Sequence, residues 1–222
     1  MKPVASGCER HAEGWRNEDA LLLQAASAPR PDYADVNPFA LPEPLAPRAG
    51  LIDSSGGGFI TMFTSNSLSG SKHEQYAQLA EQARALVHGE RDRVANAANL
   101  SALVYQALPA LNWVGFYFFD GTELVVGPFQ GLPACVRIPL GKGVCGTAAQ
   151  TRQTQRVEDV EAFPGHIACD SASRSELVVP LVAADGSLIG VFDLDSPELN
   201  RFSTDDQSGL EAIAKVFVES IA

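Results

Sequence analysis

From Ser71 onward the chain alternates between two hydrophobic periods. Tyr76, Leu79, Ala83, Leu86 and Val87 recur every three to four residues, the spacing of one helix face. Ser71 and Glu74 precede them as an S-x-x-E capping box. A second helix is predicted from about Asp92, with Val94, Leu100, Leu103, Val104 and Ala107, ending at Pro109. The period then changes to two. NWVGFYFF and TELVVGPF flank Asp120-Gly121, and ELVVPLV and SLIGVFDLD flank Asp185-Gly186. Both read as hairpins with type I′ turns. A short helix is predicted over 144–151, and a last one, capped near Ser203, carries Leu210, Ile213, Ala214, Phe217 and Ile221. This order predicts an α+β domain: a central antiparallel β-sheet with helices packed on one side and the active-site loops on the other.

The first 61 residues break that pattern. Seven of the chain's 14 prolines lie there, and neither period is sustained. Such a segment buries too little apolar surface to offset its ordering entropy. It reads as a disordered extension or as the product of a mis-called start, with the compact domain spanning 62–222.

Net charge is −11 and the pI about 4.7, which disfavours nucleic acid and anionic membranes as partners. No run of about 18 apolar residues and no signal-peptide pattern is present. Four cysteines are too few for a disulfide scaffold in a chain of 222 residues. The expected compartment is the cytoplasm, where a disulfide is transient and catalytic.

Three of the cysteines cluster in the sequence, Cys135, Cys145 and Cys169, and only Cys8 lies elsewhere. No pair has CxxC spacing. Redox chemistry at sulfur is the leading reading. Two others stand beside it: zinc held with His166, and small buried side chains of no chemical role. Gly141, Gly143 and Gly146 spell G-x-G-x-x-G, but a hairpin precedes them instead of a parallel βαβ unit. They suit a tight turn into a helix N-terminus that can hold a carboxylate. Asp193 and Asp195 share a strand face, and Glu176 opens the partner strand. Three carboxylates near a thiol could deliver a proton and bind an ammonium group. Trp113 and Tyr117 share a face and could wall a small pocket or be plain core.

The segments GFYFFDG, ACVRIPLGKGVCGTAA, HIACDSASRSELVVPL and IGVFDLDSP resemble the free methionine-(R)-sulfoxide reductases, small enzymes of the GAF fold. The resemblance runs from about Met62 to the C-terminus; the first 61 residues have no counterpart in it. It implies thioredoxin-dependent reduction of free methionine-(R)-sulfoxide. Electrons would come from NADPH through thioredoxin reductase, with no bound cofactor and no metal. By the resemblance Cys169 is the catalytic cysteine, Cys135 the main resolving one and Cys145 an auxiliary one. Glu176, Asp193 and Asp195 match the pocket carboxylates, and Trp113 and Tyr117 the enclosing aromatics. Fold analogy adds a homodimer as an expectation. The alternative from another class is a non-enzymatic GAF sensor of a small molecule or of oxidation.

Overall fold

The computed structural model describes residues 9–11, 14–16, 65–165 and 172–222. The chain divides into two units, Met1–Thr64 and Ser65–Ala222. In the first, β1 (Glu9–His11) pairs antiparallel with β2 (Gly14–Arg16). The rest of the expectation for residues 1–61 falls outside the described residues.

The second unit opens with α1 (Lys72–Leu86), whose Ser71 and Glu74 form the expected capping box. Asp92 accepts from Val94 and Ala95 N–H groups and starts α2 (Arg93–Ala107). Then come β3 (Trp113–Phe119), β4 (Glu123–Gly131), β5 (Arg137–Pro139), α3 (Gly143–Thr151) and β6 (Gln155–Val157). After a 3₁₀ turn at Val160–Ala162 follow β7 (Ser175–Val182), β8 (Leu188–Ser196) and α4 (Thr204–Ser220). The sheet is antiparallel throughout, in the order β5-β4-β3-β8-β7-β6. Its two edge strands, three residues each, are too short to show a period in sequence. Pro139 is tolerated in β5 because that strand is an edge.

Both hairpins form, but with other turns. Phe119 pairs with Leu124, so the first loop is centred on Gly121-Thr122, one residue later than expected. Only Gly121 has positive φ (102°), which fits type II′ and not I′. In the second, Ala183 N–H donates to Ser187 and Gly186 N–H to Ala183, giving a three-residue loop. Gly186 at φ 85° absorbs the reversal.

Period two sorts the central strands. Phe116 packs on Phe192 of β8 (4.7 Å) and Phe217 of α4 (4.6 Å), on the face covered by α2 and α4, with α1 packed on those two helices. Full burial of each ring contributes about 1.5–3 kcal/mol. The opposite face carries Trp113, Tyr117, Glu176, Asp193 and Asp195, with α3 against it.

Asp206, fully buried in the first turn of α4, ties the helical layer together. It accepts from Tyr76 (2.7 Å), Lys72 (2.5 Å), Arg201 (3.0 Å) and the Ser203 N–H (2.6 Å). Burial alone would raise its pKa; the hydrogen bonds from Lys72, Ser203 and Tyr76 outweigh it and hold the carboxylate ionised. No described helix is long and apolar enough to cross a membrane.

Candidate active site

The antiparallel register lines up the pocket. Asp195 stands between Trp113 on β3 and Glu176 on β7. One row along, Asp193 stands between Gly115 and Val178. Cross-strand partners project from the same face, so three carboxyl groups and an indole converge. Gly115 is what lets the indole lie along its strand. A Cβ there would stand 2.5 Å from the Trp113 ring and would also strike Phe129. Trp113 stacks on Tyr117 (centroids 5.7 Å) and on Phe129 (5.2 Å), and its Nε1–H donates to the Leu132 carbonyl (3.1 Å).

One cleft, with an empty volume of about 510 Å³ counting its open mouth, is lined by Trp113, Tyr117, Cys145, Glu176, Asp193 and Asp195. Six of the eight residues expected at the site therefore share one pocket. The wall is completed by Leu132, Pro133 and Ala134 from the β4–β5 loop, by Ser173, and by the start of α3. Cys135 follows Ala134 in that loop and packs against the apolar cluster behind the pocket. It is disulfide-bonded. Cys169 and His166 lie outside the described residues; Ser173, four positions after Cys169, lines the pocket. A disulfide sulfur offers no thiolate, so Cys135 is not a zinc ligand in this state.

Cys145 is a buried free thiol on the first turn of α3. Its sulfur and one oxygen each of Glu176 and Asp193 lie within 4.8 Å of one another. Burial, then the neighbouring Asp193 and Asp195, pushes the Glu176 carboxyl well above the usual range. Burial raises Asp193 to about 7, opposed by hydrogen bonds from Cys145 and Glu176. Burial and the carboxylates push the Cys145 thiol up too. The three groups are near enough to close on one cation or to share a proton. Asp193 Oδ1 has no hydrogen-bond partner among the described residues, although the side chain is buried.

The opposite wall is α3. Its N-cap is Lys142, which supplies no side-chain cap. The first N–H groups of a helix have no intrahelical partner, and Lys142, Gly143, Val144 and Cys145 all line the pocket. A positive helix end with a lysine beside it thus meets a cluster of carboxyl groups across one small cleft. The glycines before it serve this turn. The preceding strand β5 is antiparallel to β4, so no dinucleotide-binding βαβ unit exists here.

Phe129, Lys142, Ser173 and the 132–134 run were not singled out from sequence. A glycine inside the apolar strand WVGFYFF was the available sign that a ring crosses Gly115.

The GAF domain family model matches residues 95–221. Over 143 residues the chain is 52% identical to the free methionine-R-sulfoxide reductase of Escherichia coli (strain K12), covering 64% of this chain and 86% of that protein. This chain belongs to the free methionine-R-sulfoxide reductase family. The family member from Neisseria meningitidis, solved in complex with its substrate, superposes with a TM-score of 0.69 at 43% identity. The match covers 72% of this chain and 96% of that one. A 53-residue stretch has a different likeness. It is 70% identical to the ATP-dependent dethiobiotin synthetase BioD of Xanthomonas euvesicatoria pv. vesicatoria, covering 24% of this chain and 24% of that protein.

Proposed function

We propose that this protein reduces free methionine-(R)-sulfoxide to methionine, with Cys169 as nucleophile, Cys135 as resolving thiol and thioredoxin as electron source. The observation that carries the reading is the opposition of charges across the pocket. A free amino acid is a zwitterion. Its ammonium group suits the carboxyl row at Asp195, and its carboxylate suits the uncapped start of α3 with Lys142. Trp113 and Tyr117 would flank the thioether arm. Methionine inside a peptide offers neither charge.

A sulfoxide sulfur becomes electrophilic when its oxygen takes a proton. Asp193, with a pKa of about 7 and a buried oxygen without a partner among the described residues, is poised to give one. The Cys169 thiolate attacks sulfur, the oxygen passes to Cys169, and methionine leaves with the electron pair. Cys169 is then a sulfenic acid. Cys135 attacks it, forming the disulfide and releasing water. The disulfide-bonded state of Cys135 supports this step. Thioredoxin restores both thiols. The outcome is repair of oxidised free methionine, fitted to a reducing cytoplasm.

The synthetase-like stretch belongs, in this reading, to the first unit, since the family's pattern occupies the chain from about Met62. The match covers 24% of that synthetase, and we assign the stretch no part in the reductase chemistry.

The test is thioredoxin-coupled NADPH consumption. The free R epimer should support turnover; the S epimer and N-acetylmethionine sulfoxide should not. Cys169→Ser should abolish activity, whereas Cys135→Ser should give about one turnover per site and stall. Absence of turnover in the wild type would overturn the reading in favour of a sensor.

A further inference from the structure

Among the described residues only Val94, Leu132, Val136 and Leu199 are large apolar side chains left exposed, and two of the four flank Cys135. Leu132 is 62% and Val136 63% exposed. Between them run Pro133, Ala134 and Cys135, each exposed or half-buried. The loop is therefore five consecutive uncharged residues at the surface of a protein of net charge −11. Scattered exposed apolar residues mean little, but a contiguous patch marks an interaction surface. This one contains Cys135, half-buried and disulfide-bonded, the cysteine that an outside reductant has to reach.

We propose that Leu132–Val136 is the docking surface for the dithiol reductant, and that the reductant attacks the sulfur of Cys135. This inference rests on the reductase reading. The loop is held for the task at both ends. The Leu132 carbonyl accepts from the Trp113 indole, and the Val136 carbonyl accepts from Val126 N–H of β4 (3.0 Å). The chain between them is neither helix nor strand, so it is free to lie extended against a partner. The occupant is a thioredoxin-type protein with an apolar rim around an exposed dithiol. A charged small-molecule reductant would gain nothing from such a rim.

The electrons balance. A thiolate of the partner attacks Cys135 Sγ, forming a mixed disulfide and breaking the bond to the other sulfur, which leaves as a thiolate and takes a proton. The partner's second thiol then attacks the mixed disulfide. It forms the partner's own disulfide and releases Cys135. Two electrons pass from partner to enzyme.

Val136 lines no part of the pocket, so Val136→Asp separates docking from chemistry. With thioredoxin it should raise the KM for thioredoxin about tenfold or more. With dithiothreitol, which needs no docking surface, kcat and the KM for sulfoxide should match wild type. Val136→Ser should fall between. A thioredoxin whose second active-site cysteine is changed to serine should be trapped on Cys135, located by peptide mapping. A wild-type thioredoxin KM in Val136→Asp, an equal loss with both reductants, or trapping on Cys169 would overturn the proposal. Failure of the wild type with both reductants would instead remove the reductase reading itself, and this inference with it.

Discussion

The sulfur of Cys145 on α3 lies 3.8 Å from Oε1 of Glu176 on β7, both groups buried where the two walls of the pocket meet. Burial raises the proton affinity of both, and the carboxylates, Glu176 among them, raise that of Cys145 further, whereas the thiol's hydrogen bond to Glu176 works to lower that of Glu176. Cys145 is thus a neutral thiol at pH 7 and a poor nucleophile, although it is one of three clustered cysteines. Native protein treated with iodoacetamide at pH 8 should leave Cys145 unmodified. The same residue should be fully alkylated after unfolding in guanidinium. Peptide mass mapping reads both, and rapid native labelling of Cys145 would contradict its burial.

Asp193 gives a pH dependence of stability with a definite sign. Burial raises its pKa from 3.8 to about 7 in the folded state. Between roughly pH 4 and 7 the folded chain keeps a proton that the unfolded chain has lost. The stability this contributes is complete below about pH 4 and is lost as pH rises through about 7. Asp193→Asn removes the effect. Its melting temperature minus that of wild type should rise from pH 5 to pH 8, by the equivalent of a few kcal/mol at most. A pH-independent difference would mean that Asp193 titrates normally.

Gly115→Ala tests the aromatic wall. The added carbon would stand 2.5 Å from the Trp113 ring, and Phe129 blocks retreat on the neighbouring strand. Overpacking of this kind costs about 1–3 kcal/mol. Melting should fall by roughly 3–10 °C in a domain of this size. The KM for sulfoxide should rise, since the indole must leave its place over Tyr117. Unchanged melting and KM would show that the wall yields freely.

How much of this was legible in the sequence follows from how local each signal is. Ser71 with Glu74 and Ser203 announced helix starts because a cap is read over three residues. Period two put Trp113, Tyr117, Asp193 and Asp195 on their faces, but not on the same face of one sheet. That took the β3–β8 register, a long-range pairing which no local pattern encodes. Phe129 reaches the site only through its pairing with Gly115, and Lys142 only because α3 folds back over β7 and β8. Both turns form at the expected D-G pairs, but the first is centred one residue later than expected and neither is type I′. A D-G pair serves a two-residue or a three-residue loop equally well, and the flanking register decides. Cys169 was singled out from sequence and lies outside the described residues.

Removing residues 1–61 should leave reductase activity and melting unchanged. The GAF model starts at residue 95, and the family's pattern needs nothing before about Met62. Equal kcat, KM and melting temperature for the full chain and the truncated one are the expected result. A large fall in melting temperature would show that the first unit stabilises the second.

The three carboxyl groups should separate by kinetics. Asp193, with its pKa near neutrality, is the one suited to protonate the sulfoxide oxygen. Asp193→Asn should therefore lower kcat by about 10²–10⁴-fold, the usual cost of losing a general acid. Glu176 already carries a proton under the pull of burial, so Glu176→Gln replaces one neutral donor by another and should change kcat little. Asp195, which pairs with Trp113 at the rim of the same row, should act on the ammonium group. Asp195→Asn should mainly raise KM, because it removes binding common to ground and transition states. The wild-type rate should also fall as pH rises through about 7, while thiolate formation at Cys169 works in the opposite sense. Steady-state kinetics on the three amide variants across pH 6 to 9 decides the matter. A large kcat loss in Glu176→Gln with Asp193→Asn near wild type would move the acid to Glu176. Wild-type kinetics in all three would reduce the cluster to a buried polar row with no part in catalysis.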